Sequence, residues 1–68
     1  MRVRDREALR AYLRLSRMSE RAVAARAGIA HATLNHLLTG RRQRCSSRTA
    51  RAIEGAVLCP SGIFFEPE

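Results

Sequence analysis

A cluster of arginines stands directly after the most patterned stretch of this chain. Arg41, Arg42 and Arg44 follow residues 18–40, in which two short amphipathic segments are separated by a glycine. The guanidinium group is a planar fork of donors that fits phosphate oxygens and the acceptor edge of guanine. A net charge of +7 extends this preference to the whole chain. The sequence therefore favours a polyanionic partner, with nucleic acid ahead of a membrane surface or an acidic protein.

The other side chains capable of chemistry do not form a catalytic or metal-binding pattern. Cys45 and Cys59 lack the Cys-x-x-Cys spacing of zinc and redox sites, and the histidines do not complete a zinc pattern. We expect free thiols, with Cys59 in the core and Cys45 exposed and somewhat reactive in its cationic segment. The sequence has no credible carboxylate pair or phosphate-binding glycine loop, so it predicts no enzyme, cofactor, metal or small-molecule ligand.

Helices are the elements expected to position these residues. Hydrophobic residues make up 46% of the chain but aromatic residues only 4%, so the core must be built from Ala, Leu, Val and Ile. The chain has only two prolines and four glycines, which favours helix over sheet. Its 68 residues are enough for one small domain. No apolar run approaches the ~20 residues of a membrane span or forms a signal-peptide core, so we expect a cytoplasmic protein without membrane contact.

The helix boundaries can be predicted from capping residues. After a flexible basic arm at residues 1–4, a first helix is expected from the N-cap Asp5 to about residue 16. A second helix starts after Ser19 and ends at Gly28, where a left-handed residue is favoured. A third is expected at about residues 31–38. Its N-cap position falls on Ala30, which costs ~1 kcal/mol relative to Ser or Thr and leaves amide groups for a phosphate or water.

The rest of the chain predicts one further helix and a tail. Ser46 or Ser47 is expected to cap a fourth helix that ends near Leu58, and residues 60–68 form the tail. The apolar residues 63–65 could form a strand that pairs between subunits, or could cover the core of their own subunit.

The second and third helices, with an exposed polar face and positive charge beside it, have the form of a major-groove reader.

Residues 19–40 resemble the helix-turn-helix of the Cro and phage-repressor class, often called the XRE family. The marks that carry the resemblance are Val23-Ala24, the turn Ala27-Gly28-Ile29, Leu34, Leu37 and the closing Gly40. Weaker likeness extends over nearly the whole chain. It implies an all-α fold, a compact four- to five-helix lambda-repressor-like domain over residues 1–68 with its helix-turn-helix at 19–38. Chain length and the Arg/Ala bias are similar to small regulators from phages of high-GC actinobacteria.

The resemblance also implies roles for individual residues. By position, the base-reading residues would be His31, Ala32, Asn35 and His36. The phosphate-binding residues would be Ser19, Arg21, Thr33, Arg41, Arg42 and Arg44. Asn can pair with adenine, Ala can meet a thymine methyl group, and His can bond guanine acceptors. The partner implied is double-stranded DNA. The protein would bind a two-fold-symmetric operator as a homodimer and act there as a repressor of transcription.

Three positions depart from the family pattern. Glu20 stands where Gln is common, and a carboxylate there would repel phosphate unless an arginine neutralised it. Ala30 replaces the usual Ser or Thr cap. Leu38 replaces a commonly charged residue. It belongs to the apolar side of the third helix and is read as core ahead of interface, while packing on the tail or an exposed position in a partner surface stays open.

Two other functions remain open from the sequence. One is an excisionase-like architectural factor that bends DNA, although the strand hairpin usual after its reading helix is missing from the pattern. The other is a protein-interaction module, antitoxin-like or host-protein-binding, which Glu20 and Leu38 favour. His31 and His36 could also be ordinary solvated histidines, and the arginines of the first helix are read as a solvated face that contributes long-range field.

Overall fold

The computed structural model describes residues 1–67. Over these residues it has four helices and two short strands: β1 (Arg2–Val3), α1 (Arg6–Leu15), α2 (Glu20–Ala27), α3 (His31–Thr39), α4 (Ser47–Val57) and β2 (Phe65–Glu66). The prediction of a compact, mostly helical domain is confirmed, whereas the two strands correct the expectation of an all-α fold. None of the helices in this described range is long and apolar enough to span a bilayer. The predicted polar end at Glu68 lies outside the described residues.

Three helices begin where the sequence predicts because a polar side chain caps their first turn. The side-chain oxygens of Asp5, Ser19 and Ser46 each accept a hydrogen bond from the amide three residues ahead, at 3.0, 3.1 and 3.1 Å. These bonds satisfy amide groups that have no partner within the helix itself. The cap of α4 is therefore Ser46 and not Ser47. By contrast, α3 begins after Ala30, whose methyl group cannot cap it.

Left-handed residues end α2, α3 and α4. Gly28 (φ 71°) and Gly40 (φ 87°) end α2 and α3, as their sequence positions predict. Leu58 ends α4 at φ 58°, a conformation that costs a non-glycine residue roughly 1–2 kcal/mol. Its side chain is 79% exposed. The fourth helix therefore stops at a strained residue just before Pro60, which cannot continue it.

The core lies among the four helices and is sealed by the tail. Helix α2 packs against α3 and α4, and α1 packs against α3. The buried apolar residues are Leu9, Leu13, Val23, Ala24, Leu34, Leu37, Leu38, Ala50, Ile53, Ala56, Val57, Phe64 and Phe65. Leu38 is only 2% exposed, so of the arrangements open from the sequence its side chain adopts the buried one. Burial of these side chains is the main force that holds the short helices together.

The basic arm of residues 1–4 is a strand in the structure and not a flexible extension. β1 pairs antiparallel with β2, with Arg2 opposite Glu66 and Val3 opposite Phe65. On its other side β1 meets the loop after α3, because the Val3 amide donates to the carbonyl of Gln43 at 2.9 Å. The side chains alternate as in a strand: Met1 and Val3 pack against the core, and Arg2 and Arg4 are exposed.

The tail covers the core of its own subunit. Phe64 and Phe65 are 4% and 1% exposed, and the Phe64 ring meets the ring of Tyr12 edge-on at 5.3 Å. The turn before them is held by Glu54, a buried carboxylate that accepts the Gly62 amide at 3.0 Å. Of the two arrangements open from the sequence, residues 64 and 65 therefore adopt the intramolecular one.

Candidate functional site

Helix α3 presents the four residues expected to read bases along one side. His31 and Ala32 are exposed, and Asn35 and His36 are half-buried. The opposite side carries Leu34, Leu37 and Leu38, which are fully or almost fully buried. The repeat of 3.6 residues per turn produces this division. A polar surface about two turns long thus stands outside the core on a helix whose other side is fixed by packing.

Glu20 joins the start of α2 to this surface. Its Oε1 atom accepts a hydrogen bond from Nδ2 of Asn35 at 3.0 Å, and Nε2 of His31 lies 3.4 Å from the same oxygen. The side chains of Glu20 and His31 are 40% and 47% exposed, so the group remains open to solvent. The sequence predicts that Glu20 would repel phosphate unless an arginine neutralised it. In the structure the polar contacts of Glu20 are instead two of the predicted base-reading residues.

Two arginines of α1 lie close to Glu20. A cleft of about 250 Å³ is lined by Arg10, Leu13, Arg14, Met18, Glu20 and Leu38. The sequence predicts a solvated face for the α1 arginines, which would contribute long-range field more than direct contacts. Their spacing of four residues places Arg10 and Arg14 on one side of the helix, but only the packing of α1 against α3 reveals that this side borders the start of α2.

The predicted phosphate-binding loop forms an open cationic concavity at the end of α3. Its volume is about 560 Å³ and its lining is Arg41, Arg42, Gln43, Arg44 and Cys45. The Arg42 amide donates to the carbonyl of His36 at 3.0 Å, which ties the loop to the last turns of α3. The loop is therefore fixed relative to the polar surface of that helix, and its arginine side chains are exposed.

Cys45 at the end of this loop differs from the expectation of an exposed, reactive thiol. It is half-buried and packs against the core. Burial raises its pKa above 9.0, although the N-terminal ammonium group and Arg42 act in the opposite direction. Because the thiolate is the reactive form, Cys45 is less reactive than its cationic surroundings suggest.

An arginine of α1 contacts the residue that ends α3. The guanidinium group of Arg6, on α1, packs so closely over Gly40 that a Cβ atom there would lie 2.8 Å from Arg6 Cζ. The Nε atom of Arg6 is buried with no hydrogen-bond partner in residues 1–67. The negative end of the α3 dipole stabilises a cation at this place. Nothing in the local sequence distinguishes Arg6 from the other arginines of α1, because its contact depends on how α1 packs against α3.

The remaining predicted residues occupy the other end of the surface. Arg21 shares a shallow groove of about 380 Å³ with Ala24, Ala25, Ile29 and His31, so α2 and α3 each place a nitrogen-bearing side chain there. Ser19 is exposed, and its hydroxyl oxygen caps α2. Thr33 is half-buried on α3 and lies outside the Glu20 contacts.

The described site is thus a polar helix face with Arg21 at one end and the residue 41–44 loop at the other, and with one carboxylate in contact with its centre. Comparison with protein-family models, with curated proteins and with solved structures finds nothing similar to this chain.

Proposed function

We propose that this protein is a sequence-specific double-stranded DNA-binding transcriptional regulator, a Cro-like repressor that places α3 in the major groove. The observation that carries the proposal is the polar face of α3 bordered by the cationic loop of residues 41–44. The major groove is about 12 Å wide and admits one α-helix. The pair α2 and α3, joined by Gly28, would then act as the helix-turn-helix of an XRE-type domain.

The two sets of residues have different tasks in this proposal. His31, Ala32, Asn35 and His36 meet base edges, which specify sequence. Ser19, Arg21, Thr33 and the loop arginines Arg41, Arg42 and Arg44 meet phosphates, which position the domain. Because the phosphate contacts release counterions, binding should weaken steeply as salt is raised.

A homodimer on an inverted repeat is the arrangement we propose for the bound state, with half-sites ~34 Å apart. The large exposed apolar side chains of residues 1–67 are Leu15, Leu58 and Ile63, at 84%, 79% and 47%. The backbone beside one of them is fixed by Tyr12, whose hydroxyl donates to the Val57 carbonyl at 3.2 Å. Exposed apolar side chains can be buried against a partner, and we propose these residues for the dimer contact of a regulator in the cytoplasm of a bacterial host cell.

Selection of bound sequences from a random DNA pool at physiological salt tests the function directly. An enriched inverted repeat would support a dimeric regulator. Enriched direct repeats would favour the excisionase-like architectural factor, and salt-sensitive binding without enrichment would contradict sequence-specific regulation.

Two variants then test the division of tasks. Asn35→Ala should cost ~1–3 kcal/mol at particular base pairs of the selected operator and little elsewhere. Arg42→Ala should weaken binding to all sequences alike and lower the salt slope by about one. A uniform loss from Asn35→Ala would contradict the base-reading role of this residue. Unchanged regulation in cells by Asn35→Ala, His36→Ala would instead favour the protein-interaction module.

A further inference from the structure

One oxygen atom, Oε1 of Glu20, contacts two side chains of α3: it accepts a hydrogen bond from Asn35 and lies at ion-pair distance from His31. The distances are 3.0 Å to Nδ2 of Asn35 and 3.4 Å to Nε2 of His31. An ionised carboxylate is an acceptor only. A group that makes a hydrogen bond to it must therefore present hydrogen, and this requirement determines how the Asn35 amide is oriented.

The Asn35 amide has only one favourable orientation beside Glu20. Its NH2 group must point to the carboxylate, because the reverse orientation would place two acceptor oxygens against each other. The Oδ1 atom then turns toward the open side of α3. In residues 1–67 this oxygen has no hydrogen-bond donor. Asn35 therefore presents an acceptor to whatever lies along the helix.

His31 lies farther from the carboxylate than Asn35 does. Its Nε2 atom is 3.4 Å from Oε1 of Glu20, which is an ion-pair distance and not a hydrogen bond, so the orientation is determined for Asn35 alone. The second carboxylate oxygen of Glu20 is also an acceptor. Oδ1 of Asn35 and this oxygen of Glu20 therefore share one hydrogen-bonding character, although an Asn side chain could offer either a donor or an acceptor in other surroundings.

We propose that Glu20 is a specificity-determining residue that makes this part of the surface select base edges carrying an amino group. The inference rests on the proposed function. In the major groove the amino donors are N4 of cytosine and N6 of adenine, whereas guanine and thymine offer only acceptors. Adenine is compatible with the amide orientation at Asn35, whereas a guanine or thymine acceptor opposite Oδ1 of Asn35 is not. Glu20 acts through Asn35, so it is a positioning residue for that side chain.

The experiment compares four full-length proteins in parallel selections from the random DNA pool: wild type, Glu20→Gln, Glu20→Ala and Glu7→Gln. Glu7 is the matched control because it is an exposed carboxylate on α1, with its side chain 83% exposed, and its loss changes the net charge equally. All three variants should bind DNA in general more tightly, since each removes a negative charge. Total affinity therefore does not test the proposal, whereas the base selected does.

Wild type and Glu7→Gln should select adenine or cytosine over guanine or thymine at one half-site position, by about tenfold. Glu20→Ala should lose this preference, and Glu20→Gln should lose or reverse it, because a glutamine can face Asn35 with either end of its amide. Circular dichroism of each variant verifies that the fold is retained.

In an adenine-containing operator, replacement of that adenine by purine, which lacks the 6-amino group, should reduce wild-type binding and leave Glu20→Ala unaffected.

Two results would overturn the inference while leaving the proposed function intact. One is a wild-type operator with guanine or thymine opposite these residues. The other is an unchanged base preference in both Glu20 variants. A pool with no enriched sequence for any of the four proteins would overturn the proposed function itself, and the inference with it.

Discussion

Replacement of Gly40 by alanine should measure the contact between α1 and the end of α3. Two costs are expected in this variant. A left-handed alanine at φ 87° is strained by roughly 1–2 kcal/mol, and the new Cβ atom would lie 2.8 Å from Cζ of Arg6, well inside van der Waals distance. The guanidinium group would have to move off the end of α3, where a cation is worth ~0.3–1 kcal/mol.

Gly62 provides a matched control for this substitution. Its φ is also 87°, but beyond the two residues adjacent to it in the chain, an added Cβ atom would have no atom of residues 1–67 within 4 Å. Gly62→Ala should therefore lower the free energy of unfolding by ~1 kcal/mol through backbone strain, and Gly40→Ala by ~2 kcal/mol. For a domain of this size each kcal/mol shifts Tm by roughly 4–8 °C, so thermal unfolding followed by circular dichroism resolves the two.

A double-mutant cycle identifies the source of the difference. In an Arg6→Ala background the Gly40→Ala substitution should cost only as much as Gly62→Ala, because the group that it displaces is gone. Equal losses for the two glycine variants in the wild-type background would refute the reasoning. So would a Gly40→Ala cost that Arg6→Ala leaves unchanged, since the strain would then lie in the backbone alone.

Three further predictions follow from burial and charge. Ile53→Ala should lower the free energy of unfolding by ~2–5 kcal/mol in urea titrations, because Ile53 is fully buried and the change leaves a cavity; a loss below 1 kcal/mol would contradict its core position. The hydrogen bond from Arg2 lowers the pKa of Glu66 below its ordinary value of 4.5, so the stability advantage of wild type over Glu66→Gln should be complete above this pH and disappear as acidification protonates the folded carboxyl; an advantage that does not decrease on acidification would contradict the contact. Because burial raises its pKa, Cys45 should react with iodoacetamide at pH 8 more slowly in the folded than in the unfolded protein, and equal rates would contradict its burial.

Local signals in the sequence were sufficient for the helix boundaries. Asp5 and Ser19 cap their helices through atoms three residues away, and Gly28 ends α2 through its own backbone freedom. Each of these effects depends on neighbours in the chain, so the residue types alone predicted them. The exposed side of α3 was predictable for a similar reason, because the leucines repeat with the helical period.

Contacts between distant residues could not be predicted in the same way. β1 has two residues, too few for a periodic signal, and its partner lies more than 60 residues later. Leu38 shares the lining of one cleft with Leu13, and this proximity depends on how α1 packs against α3. Glu20 and Asn35 are 15 residues apart. A sequence pattern identifies Glu20 as unusual, but only the fold identifies its contacts.

The short β1 strand links the stability of the fold to the cationic loop. The Val3 amide donates to Gln43, the Cys45 amide donates to Met1, and the Arg42 amide donates to His36. The loop of residues 41–44 is therefore held on one side by β1 and on the other by α3. A loop ordered in advance loses less conformational entropy when it contacts phosphates, so this arrangement should increase affinity without a direct contact from β1.

Val3→Pro tests this last step, because proline has no amide hydrogen to donate to Gln43. Loss of one hydrogen bond worth ~1 kcal/mol should weaken binding to every DNA sequence by about fivefold. The salt slope should not change, since no charge is lost, and the base preference should not change, since α3 is untouched. Val3→Ala keeps the amide and is the control for the lost side chain. If Val3→Pro altered the selected bases, or if Val3→Ala weakened binding equally, β1 would act through the core and not through the loop.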